Sequence, residues 1–295
     1  MVTAAPASAM ATCRAKIPAS RAAARRRSPA QTLFGFLLAL VLTAGCTLAT
    51  VTAAPARDGQ AVRVAAAADL RFALDEIATA FERDTGHRLK ITYGSTGNFA
   101  QQIRAGAPFH LFLAADERYI HALAADGLTR NEGALYALGR LALLVPAGSF
   151  SGNAPTLAEV SSRLAASPQL RLAIPNPDHA PYGERARDVL QHQQLWETLQ
   201  TRLVLGENAS QAAQFALSGN TIGGITAWSL ALAPPIAALA DSALIPAAWH
   251  RPLQQRMALL QGSPPGAERL YRYMRSHPAQ QVLLRHGFSL PPDAA

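Results

Sequence analysis

Short apolar runs alternate with longer segments of helical periodicity along most of this chain. Residues 62–67, VRVAAA, read as a buried strand. Leu70, Leu74, Ile77 and Phe81 then recur at helical spacing, and Gly86 supplies a C-cap. Residues 88–93 form a β-branched and aromatic run, followed by a helix through Phe99 and Ile103. A third strand is predicted over 109–114 and a third helix over 117–125, stopped by Gly127. The order β-α-β-α-β-α is that of an open parallel sheet covered by helices. A second block repeats it. Strands are predicted over 141–145, 170–174, 202–205 and 223–226, and helices over 156–166 and 184–192 and up to Gly219. An Ala-rich helical stretch over 230–239 is broken at Pro234-Pro235. A strand over 253–260 can return to the first block, with helices over 266–276 and 278–286 after it. A chain that leaves the first block and returns crosses twice between the two, which suits a hinge.

Candidate chemistry sits in the turns. Gly94, Ser95, Thr96, Gly97 and Asn98 crowd the junction between a strand and a helix. Small residues there leave backbone N–H groups open at a helix N-terminus, where the helix dipole favours an anion. Hydroxyls add donors without adding charge. Similar turns recur at Ala68-Asp69, in the proline-rich loop 175–183, and at 206–210. In open α/β sheets such carboxyl ends of strands are where ligands collect. Any one of these turns fits a merely structural role, but two blocks each offering two of them make a bilobed anion trap the better joint reading. Asp69 is also placed to cap the helix that follows it.

Charge sharpens the picture. The formal net charge is +8, but residues 1–53 hold Arg14, Lys16, Arg21, Arg25, Arg26 and Arg27 and no acidic residue. Without those six, 21 basic residues stand against 19 acidic ones, and the sole remaining lysine is Lys90. A nucleic-acid stripe is thereby excluded. Arg25–Arg27 precede the apolar run 33–42, too short for an ordinary membrane span and suited to a signal peptide over 1–53, with a linker over 54–61. The long basic region before it places Met10 as an alternative start. Thr43-Ala44-Gly45-Cys46 resembles a lipoprotein box, which would anchor the chain through Cys46. Both cysteines, Cys13 and Cys46, fall in this leader, so the exported part is predicted to fold on core burial alone. The eight histidines form no i, i+4 pair or HExxH helix, and no G-x-S-x-G elbow or P-loop occurs. The adjacent carboxylates Asp116-Glu117 and Asp75-Glu76 read as caps and solvated faces.

Taken together, residues 62–70 (VRVAAAADL), 93–108 (YGSTGNFAQQIRAGAP), 111–116 (LFLAAD), 174–183 (IPNPDHAPYG), 207–212 (ENASQA) and 283–288 (LLRHGF) resemble the periplasmic molybdate-binding proteins of ABC importers. The resemblance implies an α/β, two-lobed, type II periplasmic-binding-protein fold, each lobe a mostly parallel sheet flanked by helices, joined by a two-strand hinge. Lobe 1 would comprise 62–140 and 251–295, and lobe 2 residues 141–250. It implies a monomeric periplasmic receptor, not an enzyme and without a cofactor, that captures molybdate or tungstate and docks on an ABC permease. A receptor for phosphate, sulfate or an organic acid is the alternative. The positions carried over as oxyanion contacts are Ala68, Asp69, Ser95, Thr96, Tyr182 (through its N–H or its ring), Asn208 and Ala209. The chain departs from the family at three of its positions. Ala227 stands where a tyrosine is common, and His110 where an acidic residue is common. Asp69 stands where serine or asparagine is usual. A carboxylate beside a dianion is repulsive, so Asp69 is expected to turn its carboxylate onto its own helix as an N-cap, with Arg71 offsetting the charge.

Overall fold

The computed structural model describes residues 61–292 apart from 151 and 153. The signal peptide, residues 54–60 of the expected 54–61 linker, and both cysteines lie outside the described residues.

The chain builds two five-stranded sheets. The first begins with β1 (Val62–Ala67), a short 3₁₀ turn (Ala68–Leu70) and α1 (Arg71–Thr85). It continues with β2 (Leu89–Gly94), α2 (Thr96–Arg104), β3 (Leu111–Ala114), α3 (Glu117–Ala125) and β4 (Ala134–Gly139). The second holds β5 (Leu141–Pro146), α4 (Leu157–Ala166), β6 (Leu172–Pro175), α5 (Pro181–His192), α6 (Trp196–Leu199), β7 (Leu203–Gly206) and α7 (Ala209–Ala216). It ends with β8 (Gly223–Ala227), the short helices α8 (Trp228–Ala231) and α9 (Pro234–Ala237), and β9 (Ala240–Leu244). The chain then returns through β10 (Leu253–Leu259) to the first sheet and closes with α10 (Pro265–Tyr273) and α11 (His277–Arg285). The strand orders are β2-β1-β3-β10-β4 and β7-β6-β8-β5-β9. We call the units carrying these sheets lobe 1 and lobe 2. Arg140, between β4 and β5, marks one crossing, and the segment between β9 and β10 carries the other.

As expected, each sheet is mostly parallel: four strands run in one direction and one, β10 or β5, runs against them. β1 pairs parallel with β2 and β3, but β10 runs antiparallel to both β3 and β4. In lobe 2, β6 pairs parallel with β7 and β8, while β5 runs antiparallel to β8 and β9. The physical reason is the crossing. A strand entering a lobe from the hinge has no helical crossover to bring it round, so it adds antiparallel.

Side-chain alternation explains the layering. On β1, Val64 and Ala66 face a core with Leu70 of the 3₁₀ turn and Leu74, Ile77 and Phe81 of α1, while Ala65 faces Phe99, Phe112, Ile120 and Leu123. All are buried. Each fully buried Leu or Phe contributes about 1.5–3 kcal/mol, and with the described cysteine-free chain this burial is what holds the scaffold. α1 ends where Gly86 adopts φ 72°. α4 begins with a reciprocal capping box between Thr156 and Glu159.

Candidate functional site

Three helices of eight residues or more begin around one cavity. Its wall takes Ala67, Ala68, Asp69, Gly94, Ser95, Thr96 and Ala115 from lobe 1, and Ala180, Pro181, Tyr182 and Ala209 from lobe 2. They come from the ends of β1 and β2, the residue after β3, the 3₁₀ turn after β1, and the starts of α2, α5 and α7. Each lies at the carboxyl end of a strand, which is why the sequence turns converge. The cavity holds about 200 Å³ of space, part of it continuous with solvent. That is the size class of a single small solute.

The way each helix starts decides what faces the cavity. Ser95 occupies the N-cap of α2, yet its side chain makes no cap bond. Instead Ser95 Oγ donates across the cleft to the carbonyl of His179 (2.6 Å), and His179 Nδ1 lies 2.9 Å from the same Oγ. α5 starts at Ala180, which has no capping group, and at Pro181, which has no N–H. Asn208 caps α7 by accepting from Gln211 N–H. The leading N–H groups of such helices have no intrahelical acceptor, and their dipoles place partial positive charge at the hollow. Thr96 Oγ1 accepts from Ala115 N–H (3.1 Å), which leaves the hydroxyl proton to be donated. Among the described residues, no lysine, arginine or histidine lines the wall. The arrangement can therefore hold an anion only by neutral donors and helix ends.

Asp69 is the one carboxyl in the wall, and its placement corrects the expectation from sequence. Its side chain caps neither the 3₁₀ turn nor α1. Oδ2 accepts from Tyr182 Oη (2.9 Å) and Gln255 Nε2 (2.5 Å), and Gln255 Oε1 accepts from Tyr136 Oη (2.8 Å). Oδ1 is buried without a hydrogen-bond partner. Burial pushes the Asp69 carboxyl up to about 6, against the hydrogen bonds from Gln255 and Tyr182 and the pull of the nearby Asp69 and Leu70 amides. Tyr182 is raised well above its ordinary range by burial and then by the Asp69 charge. Arg71 does not offset this charge. It lies over the ring of Tyr93, 5.8 Å from the centroid.

Of the residues singled out from sequence, the structure thus gathers Ala68, Asp69, Ser95, Thr96, Tyr182 and Ala209 around one hollow. Asn208 stands one position outside it, occupied as a cap. Ala227 is buried at the end of β8, and His110 bonds Arg63 on lobe 1. The Tyr136–Gln255 pair and His179 were not singled out. Asp116 caps α3 as expected, but its pairing with Arg185 across the cleft at 2.7 Å, both side chains being buried, was not foreseen. Arg118 and Glu184 extend that network at 2.7 Å. Further bonds join the lobes: Ser210 Oγ donates to Ala68 O, Ser229 Oγ to Asp69 O, and Gly97 N–H to His179 O. The cleft is closed.

Residues 62–289 match the family model described as bacterial extracellular solute-binding protein. The molybdate-binding protein ModA of Azotobacter vinelandii is 32% identical over 232 residues, covering 78% of this chain and 90% of that protein. ModA of Rhodobacter capsulatus is 30% identical over 261 residues, covering 88% and 97%. The structure of the Azotobacter vinelandii periplasmic molybdate-binding protein superposes with a TM-score of 0.70 at 28% identity, covering 78% of this chain and 99% of that one. A sulfate-binding protein of Mycobacterium tuberculosis shares the fold at 15% identity, with a TM-score of 0.66. The chain belongs to the bacterial extracellular solute-binding proteins and is ModA-like within that family.

Proposed function

We propose that this protein captures molybdate, and tungstate with it, outside the cytoplasm and delivers it to an ABC-type permease. One observation carries the reading: a hollow of small-solute size, walled by neutral donors at three helix starts and, among the described residues, free of cationic side chains. Relatives named as molybdate-binding proteins support the choice of oxyanion. Capture involves no covalent step. Ala68, Asp69, Ser95, Thr96, Tyr182 and Ala209 are the contacts, and Asn208 serves by holding the start of α7. Donors from both lobes meet on one anion, so the ligand favours the closed form by its differential affinity. The protein acts as a monomer, exported by its signal peptide and held at the membrane by Cys46 if the lipoprotein box is used.

A thermal-shift titration with molybdate, tungstate, sulfate and phosphate tests this. Ligand at 100 times Kd adds about 2.7 kcal/mol, worth a few degrees for a chain of this length. Shifts with molybdate and tungstate, and none with sulfate or phosphate, are expected. A shift with phosphate or sulfate alone would overturn the assignment in favour of the alternative anion.

A further inference from the structure

The hollow holds one carboxyl, and its two oxygens are in different situations. Oδ2 of Asp69 already accepts two donors, Tyr182 Oη–H and Gln255 Nε2–H. Oδ1 is buried and bonds nothing. Asp69 lines the wall and is 2% exposed. An ionised carboxylate would leave a desolvated, unpaired charge facing a site built for anions, which is costly on both counts. A neutral carboxylic acid fits the bonding pattern. Its carbonyl oxygen is Oδ2, taking both donors, and its hydroxyl is on Oδ1, the one polar atom of the side chain still in need of a partner. A buried acid kept neutral so that it can donate is a known device for stabilising an oxyanion.

Beyond the pull of the Asp69 and Leu70 amides, the described surroundings offer no charged partner. Tyr182 on α5 and Tyr136 on β4 keep their protons far above neutral pH. On α1, Arg71 and Asp75 are engaged with Tyr93. Lys90 of β2 is exposed. α7 and α8 carry no charged residue. On α5, Glu184 and Arg185 belong to the Asp116 network and Asp188 pairs with Arg251, while Arg187 lies over Trp196 and His192 stacks on Trp249. On β10, Arg256 pairs with Glu117. His179, bonded to Ser95, is a titratable side chain in contact with a lining residue.

Building on the oxyanion reading above, we propose that Asp69 enters the complex as the neutral acid, with its proton on Oδ1 donated to a ligand oxygen, so that capture at neutral pH takes up one proton from water. Asp69 is then the specificity-determining residue of the site. It admits an oxyanion as acceptor and ties its affinity to pH.

Calorimetric titration of the protein with molybdate at pH 5.5 and pH 8, in buffers of different ionisation enthalpy, tests this. With the free carboxyl at about 6, affinity should fall about 80-fold between the two pH values. Uptake should approach one proton per anion at pH 8 and about a quarter of one at pH 5.5. Asp69→Asn should remove the slope and bind more tightly than wild type at pH 8. A wild-type protein that binds molybdate with flat affinity and no proton uptake overturns the proposal but leaves the functional reading intact. So does a slope that survives unchanged in Asp69→Asn. Loss of binding in Asp69→Asn at both pH values, with the fold retained by circular dichroism, overturns it too, because an ionised Asp69 would then be accepting a hydrogen bond from a protonated anion. If wild type binds no molybdate at either pH, the functional reading itself fails and the proposal falls with it.

Discussion

Gly97 lies in the first turn of α2 and faces lobe 2 across the cleft. A Cβ at that position would stand 2.5 Å from the carbonyl oxygen of His179 and 3.0 Å from its Cα. Ordinary van der Waals contact begins near 3.4 Å. Gly97→Ala therefore forces the lobes apart by about 0.9 Å at this point. The same carbonyl accepts the Gly97 N–H at 2.9 Å and Ser95 Oγ at 2.6 Å. Moved by that much, both pass beyond hydrogen-bonding distance. Each contributes about 1 kcal/mol. With residual strain on a backbone carbonyl, closure loses about 2–3 kcal/mol, which is roughly 30- to 150-fold in Kd. The three atoms nearest the methyl group all belong to His179 of lobe 2, and alanine in a helix is favoured over glycine by up to about 1 kcal/mol. The substitution should thus weaken molybdate binding in calorimetry while leaving the melting temperature of the ligand-free protein little changed. Small-angle scattering should show less compaction on adding ligand than in wild type. Ser95→Ala, which loses one bond and adds no clash, should cost about fivefold. An affinity for Gly97→Ala within threefold of wild type would refute the view that the cleft closes on the His179 carbonyl.

Other substitutions separate the same ideas. The Asp69 carboxyl is raised from 3.8 to about 6 in the folded protein. The folded state then keeps a proton that the unfolded chain has released, so the contribution of Asp69 to stability is fully present below pH 3.8 and is lost as pH rises through 6. The loss totals about 3 kcal/mol. Asp69→Asn should accordingly raise the urea midpoint at pH 8, with the gain shrinking toward pH 4; equal midpoints at pH 8 would contradict this. Gly139→Ala places a Cβ 2.4 Å from Tyr182 Oη and 2.8 Å from Gln255 Nε2, and should cost about 2–3 kcal/mol in urea denaturation by disrupting a buried polar cluster. Arg185→Ala leaves Asp116 buried with less compensation and should cost about 3–5 kcal/mol. Arg251→Ala, on a half-exposed pair with Asp188, should cost no more than about 1 kcal/mol; similar costs for the two would mean that burial is not what distinguishes them.

The β-α alternation was legible because most strands are short apolar runs bounded by glycine or proline, and the helices carry apolar residues at period 3.6. Two strands escaped. β4, ALYALG, alternates only loosely, and β9, ADSAL, is a half-exposed edge strand with no apolar face. The reversed direction of β10 escaped as well, since its antiparallel place between β3 and β4 joins residues far apart in the chain. The turns around the hollow were readable from local chemistry, since small residues at strand ends follow from the backbone alone. The fate of Asp69 was not. Its partners Tyr182 and Gln255 lie 113 and 186 positions away, and nothing local distinguishes an aspartate that caps a helix from one that crosses a cleft. Asp116 shows the same limit: its role as a cap is local, whereas its pairing with Arg185 spans 69 positions. A carboxylate directly after the apolar run LFLAA was the available signal, because a charge there is carried to the inner end of a buried strand.

These long-range bonds also bear on how the cleft works. Ser95 and Gly97 on His179, Ser210 on Ala68, Ser229 on Asp69, and Tyr182 on Asp69 all join lobe to lobe without an anion. At about 1 kcal/mol each, they carry closure a good part of the way before any ligand arrives. An ionised Asp69 works against them, because its burial is completed by Tyr182 from the opposite lobe. The opposing cost, about 3 kcal/mol at high pH, is of the same order as the direct bonds. A bound oxyanion that holds Asp69 neutral removes that cost and adds its own bonds to both lobes. The anion thus shifts the balance twice over, although no cationic side chain among the described residues lines the hollow. Combining Gly97→Ala with Asp69→Asn separates the two contributions. If the direct bonds and the carboxyl act on one closing equilibrium, the loss from the first and the gain from the second at pH 8 should largely offset each other. If the double substitution binds molybdate at pH 8 as weakly as Gly97→Ala alone, the carboxyl has no part in closure.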